Sequence, residues 1–231
     1  METSVQPAGP QATAEATEPS IVPFLAPTVV FGVLTTLEGY VPPHLYALAY
    51  TVKAIAVTAA LLTWRQPLRD IKPNVRLVVP SILLGLVVCV AWVGLDKAIP
   101  YPHLGERIGF DPYSLPTTLS RTGFVVVRLY GLVLMVPVME EILWRSFLLR
   151  YMTQSQFLSI PIGEFSSRAF WVVIAASAVA HPEWLVAAVA NIVYCAWLRR
   201  TRSLFATIVA HAATNAALGA YVFATHEWQY W

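Results

Sequence analysis

Apolar residues fall into seven runs, separated by short polar or proline-rich stretches, at about 21–37, 45–64, 77–95, 123–151, 169–180, 184–198 and 204–225. Most approach the roughly 20 residues a helix needs to cross the hydrocarbon core of a bilayer. The pattern predicts an all-α fold, a polytopic transmembrane helical bundle of about seven membrane segments. The fifth run is too short to span comfortably and ends at His181-Pro182. A residue before proline is biased away from helix, so this segment is expected to be short or re-entrant, with its turn at His181. A turn at membrane depth must be buried in protein or line a water-filled cavity. Residues 1–20 are rich in Pro, Ala, Thr, Gln and Glu and read as a disordered tail ahead of a transmembrane domain at 21–231. That tail lacks the basic start and apolar core of a secretory signal.

Composition strengthens the membrane reading. Of 231 residues, 57% are hydrophobic and 12% charged, against about 25% charged in a soluble domain. Lys and Arg form no long run, which argues against a nucleic-acid partner. Cys89 and Cys195 lie in apolar runs without metal-site spacing and read as buried thiols. Basic residues sit in three loops: Arg65, Arg69, Lys72 and Arg76; Arg150 and Arg168, with Arg145 near the helix end; Arg199, Arg200 and Arg202. Seven crossings with a cytoplasmic N-terminus put all three on the cytoplasmic side. The other loops carry Lys97, Arg107 and Arg121 beside Asp96, Glu106 and Asp111. Trp64, Trp184, Trp228 and Trp231 fall near the expected interfaces.

Ionisable residues inside the apolar runs are the candidate chemistry. Each costs roughly 3 kcal/mol near the bilayer centre on insertion scales, so it must pair, line a wet cavity or react. The fourth run holds Glu140, Glu141 and Arg145. Glu141 and Arg145 are spaced for an ion pair on one helix face, while Glu140 is turned about 100° away from Glu141. Pro137 removes a backbone donor just ahead of the acids. The seventh run holds His211 and Asn215, one turn apart, with Thr207 on the same stripe among small residues. Taken singly, these groups are equally consistent with polar contacts between helices, and His181 with an ordinary interfacial hairpin. Lys53 has no evident partner, Arg128 is expected to snorkel outward, Glu38 reads as interfacial, and Glu183 as a loop charge. Two acids, two histidines and an asparagine together supply a base, a proton carrier and oxyanion donors. The same set could hold a metal such as zinc, although no H-E-x-x-H spacing is present.

Three motifs resemble one family. Glu140-Glu141-Ile142-Leu143-Trp144-Arg145 is similar to its E-E-x-x-x-R signature, Ser177-Ala178-Val179-Ala180-His181 to its helix-end histidine, and His211-Ala212-Ala213-Thr214-Asn215 to its H-x-x-x-N. The family is the CPBP family of CAAX proteases and bacteriocin-processing enzymes, and the resemblance covers roughly 120–220. It implies an intramembrane endopeptidase of the CAAX-processing type. Glu140 would activate water, His181 would assist, His211 and Asn215 would stabilise the oxyanion, and Glu141 and Arg145 would support the site. It implies no cofactor, with zinc the runner-up, and a membrane-associated, C-terminally processed protein or peptide as partner besides lipid. The expected location is a bacterial inner membrane, and the chain's size fits an exosortase-associated subgroup. Family members that act as immunity or scaffold proteins, and a proton-coupled transporter, are the alternatives. Ser177 stands where the family often has Phe, and Ser146 where it commonly has Gly. By helix rise, Glu140 lies about 15 Å and His211 about 12 Å from the basic-loop end, with His181 near 18 Å. These depths predict a cavity facing the cytoplasm.

Overall fold

The structure, a computed structural model, describes residues 18–105 and 109–231. Most of the expected tail (residues 1–17) and the loop charges Glu106 and Arg107 lie outside the described residues. The described residues form an all-helical bundle with no strand. Its principal helices are α1 (Val22–Glu38), α2 (Tyr46–Thr63), α3 (Val78–Ala98), α4 (Thr118–Tyr151), α5 (Ser167–Val179), α6 (Trp184–Thr201) and α7 (Leu204–Thr225). The spans containing α2, α3, α4 and α7 are long and apolar enough to cross a membrane. Large apolar side chains such as Leu48, Ile55 and Leu62 on α2 and Val79, Leu83, Val87 and Val90 on α3 point outward. Stripes this long are disfavoured against water and suited to lipid. The chain is an integral membrane protein.

Local chemistry sets the helix ends. Thr117 and Ser120 form a reciprocal capping box at the start of α4. The Ser166 and Ser203 side chains accept from Ala169 N and Ala206 N at the starts of α5 and α7. Arg202 adopts a left-handed backbone (φ 52°) and returns its N–H to Leu198 O at 2.7 Å, so α6 turns directly into α7.

α7 is the bundle's centre, and α3 packs most extensively against it. Their approach needs Gly85: a Cβ there would collide with the Ala210 carbonyl and lie 2.7 Å from Ala213 Cβ. The Gly85 carbonyl also accepts from Thr214 Oγ1 at 2.9 Å. Overpacking of this kind costs about 1–3 kcal/mol. Gly85→Ala is therefore expected to lower the unfolding midpoint in detergent, with Ala217→Gly on the neighbouring α7 as a comparison that adds no atom to the contact.

Several charges lie differently from the sequence expectation. Lys53 is buried at 4% exposure and paired with Glu38, which is buried rather than interfacial. Thr35 Oγ1 accepts from the same ammonium at 3.2 Å. Arg150 belongs to a buried cluster and is no loop charge: it bonds Asp70 at 2.6 Å and Ser146 Oγ at 2.9 Å, and Ser146 donates to Asp70 at 2.6 Å. Glu183 is buried. Trp231 is buried as well, lining an internal cavity instead of an interface.

Candidate active site

α4 carries the acids and departs from α geometry twice, with wide π-helical turns at Gly131–Met135 and Ile142–Leu148. Such turns lie between ordinary α stretches and recur at functional sites. In the first turn Val136 N–H bonds the Gly131 carbonyl, and Pro137 has no N–H to offer. The Leu132 carbonyl is thereby left without a helical donor. Asn215 Nδ2 takes it at 2.8 Å. One amide N–H of Asn215 is thus spent on locking the side chain between α7 and α4, and the other remains for the cavity.

Glu140 and Glu141 part company as the helical spacing requires. Glu141 is fully buried; its Oε1 accepts from Arg145 Nη1 at 3.1 Å and meets His211 Nδ1 at 3.0 Å. Arg145, 1% exposed, continues the network through Nη2 to Asn191 Oδ1 at 2.5 Å. The Asn191 amide donates onward to Ala187 O at 2.8 Å. Tyr194 stacks on His211 with ring centroids 5.3 Å apart, and its hydroxyl bonds Thr214 Oγ1 at 2.8 Å. The imidazole is therefore held on its face and at Nδ1, leaving Nε2 as its unengaged nitrogen.

His181 sits in the turn between α5 and α6. A 13-residue helix rises about 20 Å, less than a full hydrocarbon crossing, so the turn stays below the bundle's end. The segment after α3 covers it: Leu104 N–H bonds Pro182 O at 2.8 Å, and Trp184 Nε1 bonds Pro102 O at 2.8 Å. Burial and a hydrogen bond to Asp96 push the Tyr101 phenol in this segment above its usual range. His181 Nδ1 is 2.7 Å from Ser177 O, which makes it a donor and leaves Nε2 free, and the ring meets Trp92 edge-on at 6.2 Å.

Glu140, His181, His211 and Asn215 line one cavity of about 440 Å³. Glu140 has neither a hydrogen bond nor an ion pair among the described residues. Glu141 and Arg145 stand behind the cavity wall, as a support would. The cavity does not face the basic loops as the depths predicted. Its wall continues through Glu38, Tyr46, Arg128, Pro182 and Trp231 at the opposite end of the bundle. Helix rise carried no information about which end is open.

Sequence reasoning passed over Asn191, Tyr194 and Thr214. An asparagine in the apolar run 184–198 was the available signal, since a polar amide there needs a partner. Arg128 was expected to snorkel outward and instead turns into the cavity, its guanidinium carbon 4.4 Å from the Tyr50 ring centroid. Among the described residues, no three His, Cys, Asp or Glu side chains are grouped as a metal site requires.

No curated protein and no solved structure gives a significant match to the chain. Residues 122–217 match the family model described as type II CAAX prenyl endopeptidase Rce1-like. That segment runs from the first turns of α4 to the middle of α7 and contains all three motifs. The part of the chain that carries Glu140, His181, His211 and Asn215 thus lies within the segment that is similar to the Rce1-like type II CAAX prenyl endopeptidases.

Proposed function

We propose that the protein is an intramembrane endopeptidase that hydrolyses a peptide bond near the C-terminus of a membrane-associated protein, using water activated by Glu140. The observation that carries this reading is a carboxylate without a partner among the described residues, sharing one cavity with two histidines and an anchored asparagine. Glu140 takes a proton from water as the oxygen attacks the scissile carbonyl. The tetrahedral oxyanion accepts N–H bonds from Asn215 and from His211 Nε2 when that nitrogen carries a proton. Collapse expels the amine, which receives the proton Glu140 took, and His181 assists that transfer. Glu141 and Arg145 keep His211 in place and do not touch the substrate.

The reaction proceeds without a resident metal in this proposal. Both histidines have Nδ1 committed within the protein, and the acids and histidines are not grouped as a ligand set. If the basic loops face the cytoplasm, the cavity mouth belongs to the opposite leaflet, so cleavage occurs from that side and not near the cytoplasmic surface. Purified protein in liposomes is expected to shorten an S-prenylated peptide bearing cysteine fourth from its C-terminus, with both products seen by mass spectrometry. Activity should persist in excess chelator. Loss on chelation, restored by added zinc, would assign the water activation to a metal.

A further inference from the structure

The charges along the cavity wall are Glu38, Lys53, Arg128 and Glu140. Glu38 and Lys53 neutralise each other as a buried pair. Arg128 and Glu140 are left, one cation and one anion, without an ion-pair partner among the described residues. Arg128 has a built seat. Its Nη1 donates to Tyr46 Oη at 3.3 Å, and its guanidinium carbon lies 4.4 Å from the Tyr50 ring centroid and 5.8 Å from that of Trp231. Tyr50 itself can stand there only because residue 131 is glycine: a Cβ would collide with its hydroxyl. Aromatic faces hold a guanidinium by cation–π attraction but satisfy none of its N–H donors. Nε is buried without a partner among the described residues.

We propose that Arg128 receives the C-terminal carboxylate of the peptide that Glu140 hydrolyses, an inference that rests on the hydrolytic reading above. A guanidinium presents a planar fork of donors that matches a carboxylate bidentately. Within a membrane cavity, the anion that completes it also neutralises an otherwise uncompensated charge. Both side chains lean toward the N-terminal end of α4. Twelve residues separate them along one helix, about 18 Å by helical rise. An extended chain covers that distance in about five residues. The cavity thus measures a short C-terminal tail between its cationic end and the hydrolytic group. A lipid phosphate would satisfy the same fork, but Arg128 shares its cavity with Glu140, and a tail held at both points accounts for the two unpaired charges together.

The experiment compares prenylated peptides carrying three or five residues beyond the cysteine, each made with a free C-terminal carboxylate and with a C-terminal amide, the five-residue tail being the one that spans the distance. Their dissociation constants are measured by fluorescence anisotropy on full-length Glu140→Gln protein, with Arg128 intact or replaced by Gln or Lys, and their hydrolysis on protein with Glu140 intact. With Arg128 present, the acid should bind at least about tenfold more tightly than the amide, the scale of one charge-assisted contact. Arg128→Gln should bring that ratio close to one, and Arg128→Lys should restore part of it. In the hydrolysis series the effect should fall on KM and spare kcat. An acid-to-amide ratio that is the same with Arg and Gln overturns the inference, even if both peptides are cut. Carboxylate-dependent binding without hydrolysis upholds the role of Arg128 and removes the peptidase reading. Failure of all the peptides to bind overturns the inference, and so does loss of co-purifying anionic phospholipid from Arg128→Gln with an unchanged ratio.

Discussion

Glu140→Gln is expected to reduce peptide hydrolysis by about 10²–10⁴-fold, the usual contribution of a positioned general base, while leaving the unfolding midpoint nearly unchanged. The two halves of this expectation have separate physical origins. Gln keeps the size and shape of Glu but has no basicity at the oxygen, so water is no longer deprotonated as it attacks. Stability is spared because the Glu140 carboxylate makes no hydrogen bond or ion pair among the described residues. Removing an isolated charge from an apolar helix relieves a cost instead of creating one. Rate measurements on the prenylated peptide and thermal unfolding of the same sample check both halves. A variant that unfolds early would show that Glu140 is a structural member of the bundle; a folded variant that hydrolyses at the normal rate would move the base elsewhere.

Arg145→Ala is expected to behave in the opposite manner, with stability falling first and activity following. Glu141 has no exposure, and Arg145 is its ion-pair partner. Taking away one member of a buried pair costs about 3–5 kcal/mol, because the remaining charge is left uncompensated. His211 still reaches Glu141 at 3.0 Å, which places the loss toward the lower end of that range. Asn191 Oδ1 loses its donor in the same step. Lys should rescue poorly, since a single ammonium cannot reproduce the fork that joins Glu141 to Asn191. The double variant Glu141→Gln with Arg145→Met removes both charges and should regain much of the stability without regaining activity, because His211 then loses its anionic partner. Denaturant titrations and hydrolysis rates on the three variants separate these outcomes. A single variant as stable as the parent would mean that Glu141 is neutralised by some other means.

The helices could be located from sequence because lipid demands unbroken apolar runs, and those runs correspond to α1–α7 within a few residues. The candidate site was visible for the same reason, since Glu140, Glu141, Arg145 and His211 interrupt those runs at a cost that requires explanation. What could not be read was direction around each helix axis. A segment apolar on every side has no hydrophobic phase, so nothing showed that Arg128 turns inward or that the cavity opens away from the basic loops. Pairings between helices were hidden too. Lys53 meets Glu38 on the preceding helix, and Arg145 meets Asn191 two helices away. Neutral polar residues attract little notice in an apolar run, although Asn191 and Tyr194 fix the positions of the charged ones.

The wide turn at Gly131–Met135 gives α4 one supernumerary residue ahead of the acids, and this governs which deletions the gene can tolerate there. A codon lost from within that turn lets it close to ordinary α geometry, with the following residues keeping their faces. A codon lost between the turn and Glu140 has no slack to consume. It swings both acids by about 100° about the axis, breaking the contact of Glu141 with His211. Single-codon deletions should therefore be tolerated within Gly131–Met135 and purged between Val136 and Glu140, within a single unbroken helix.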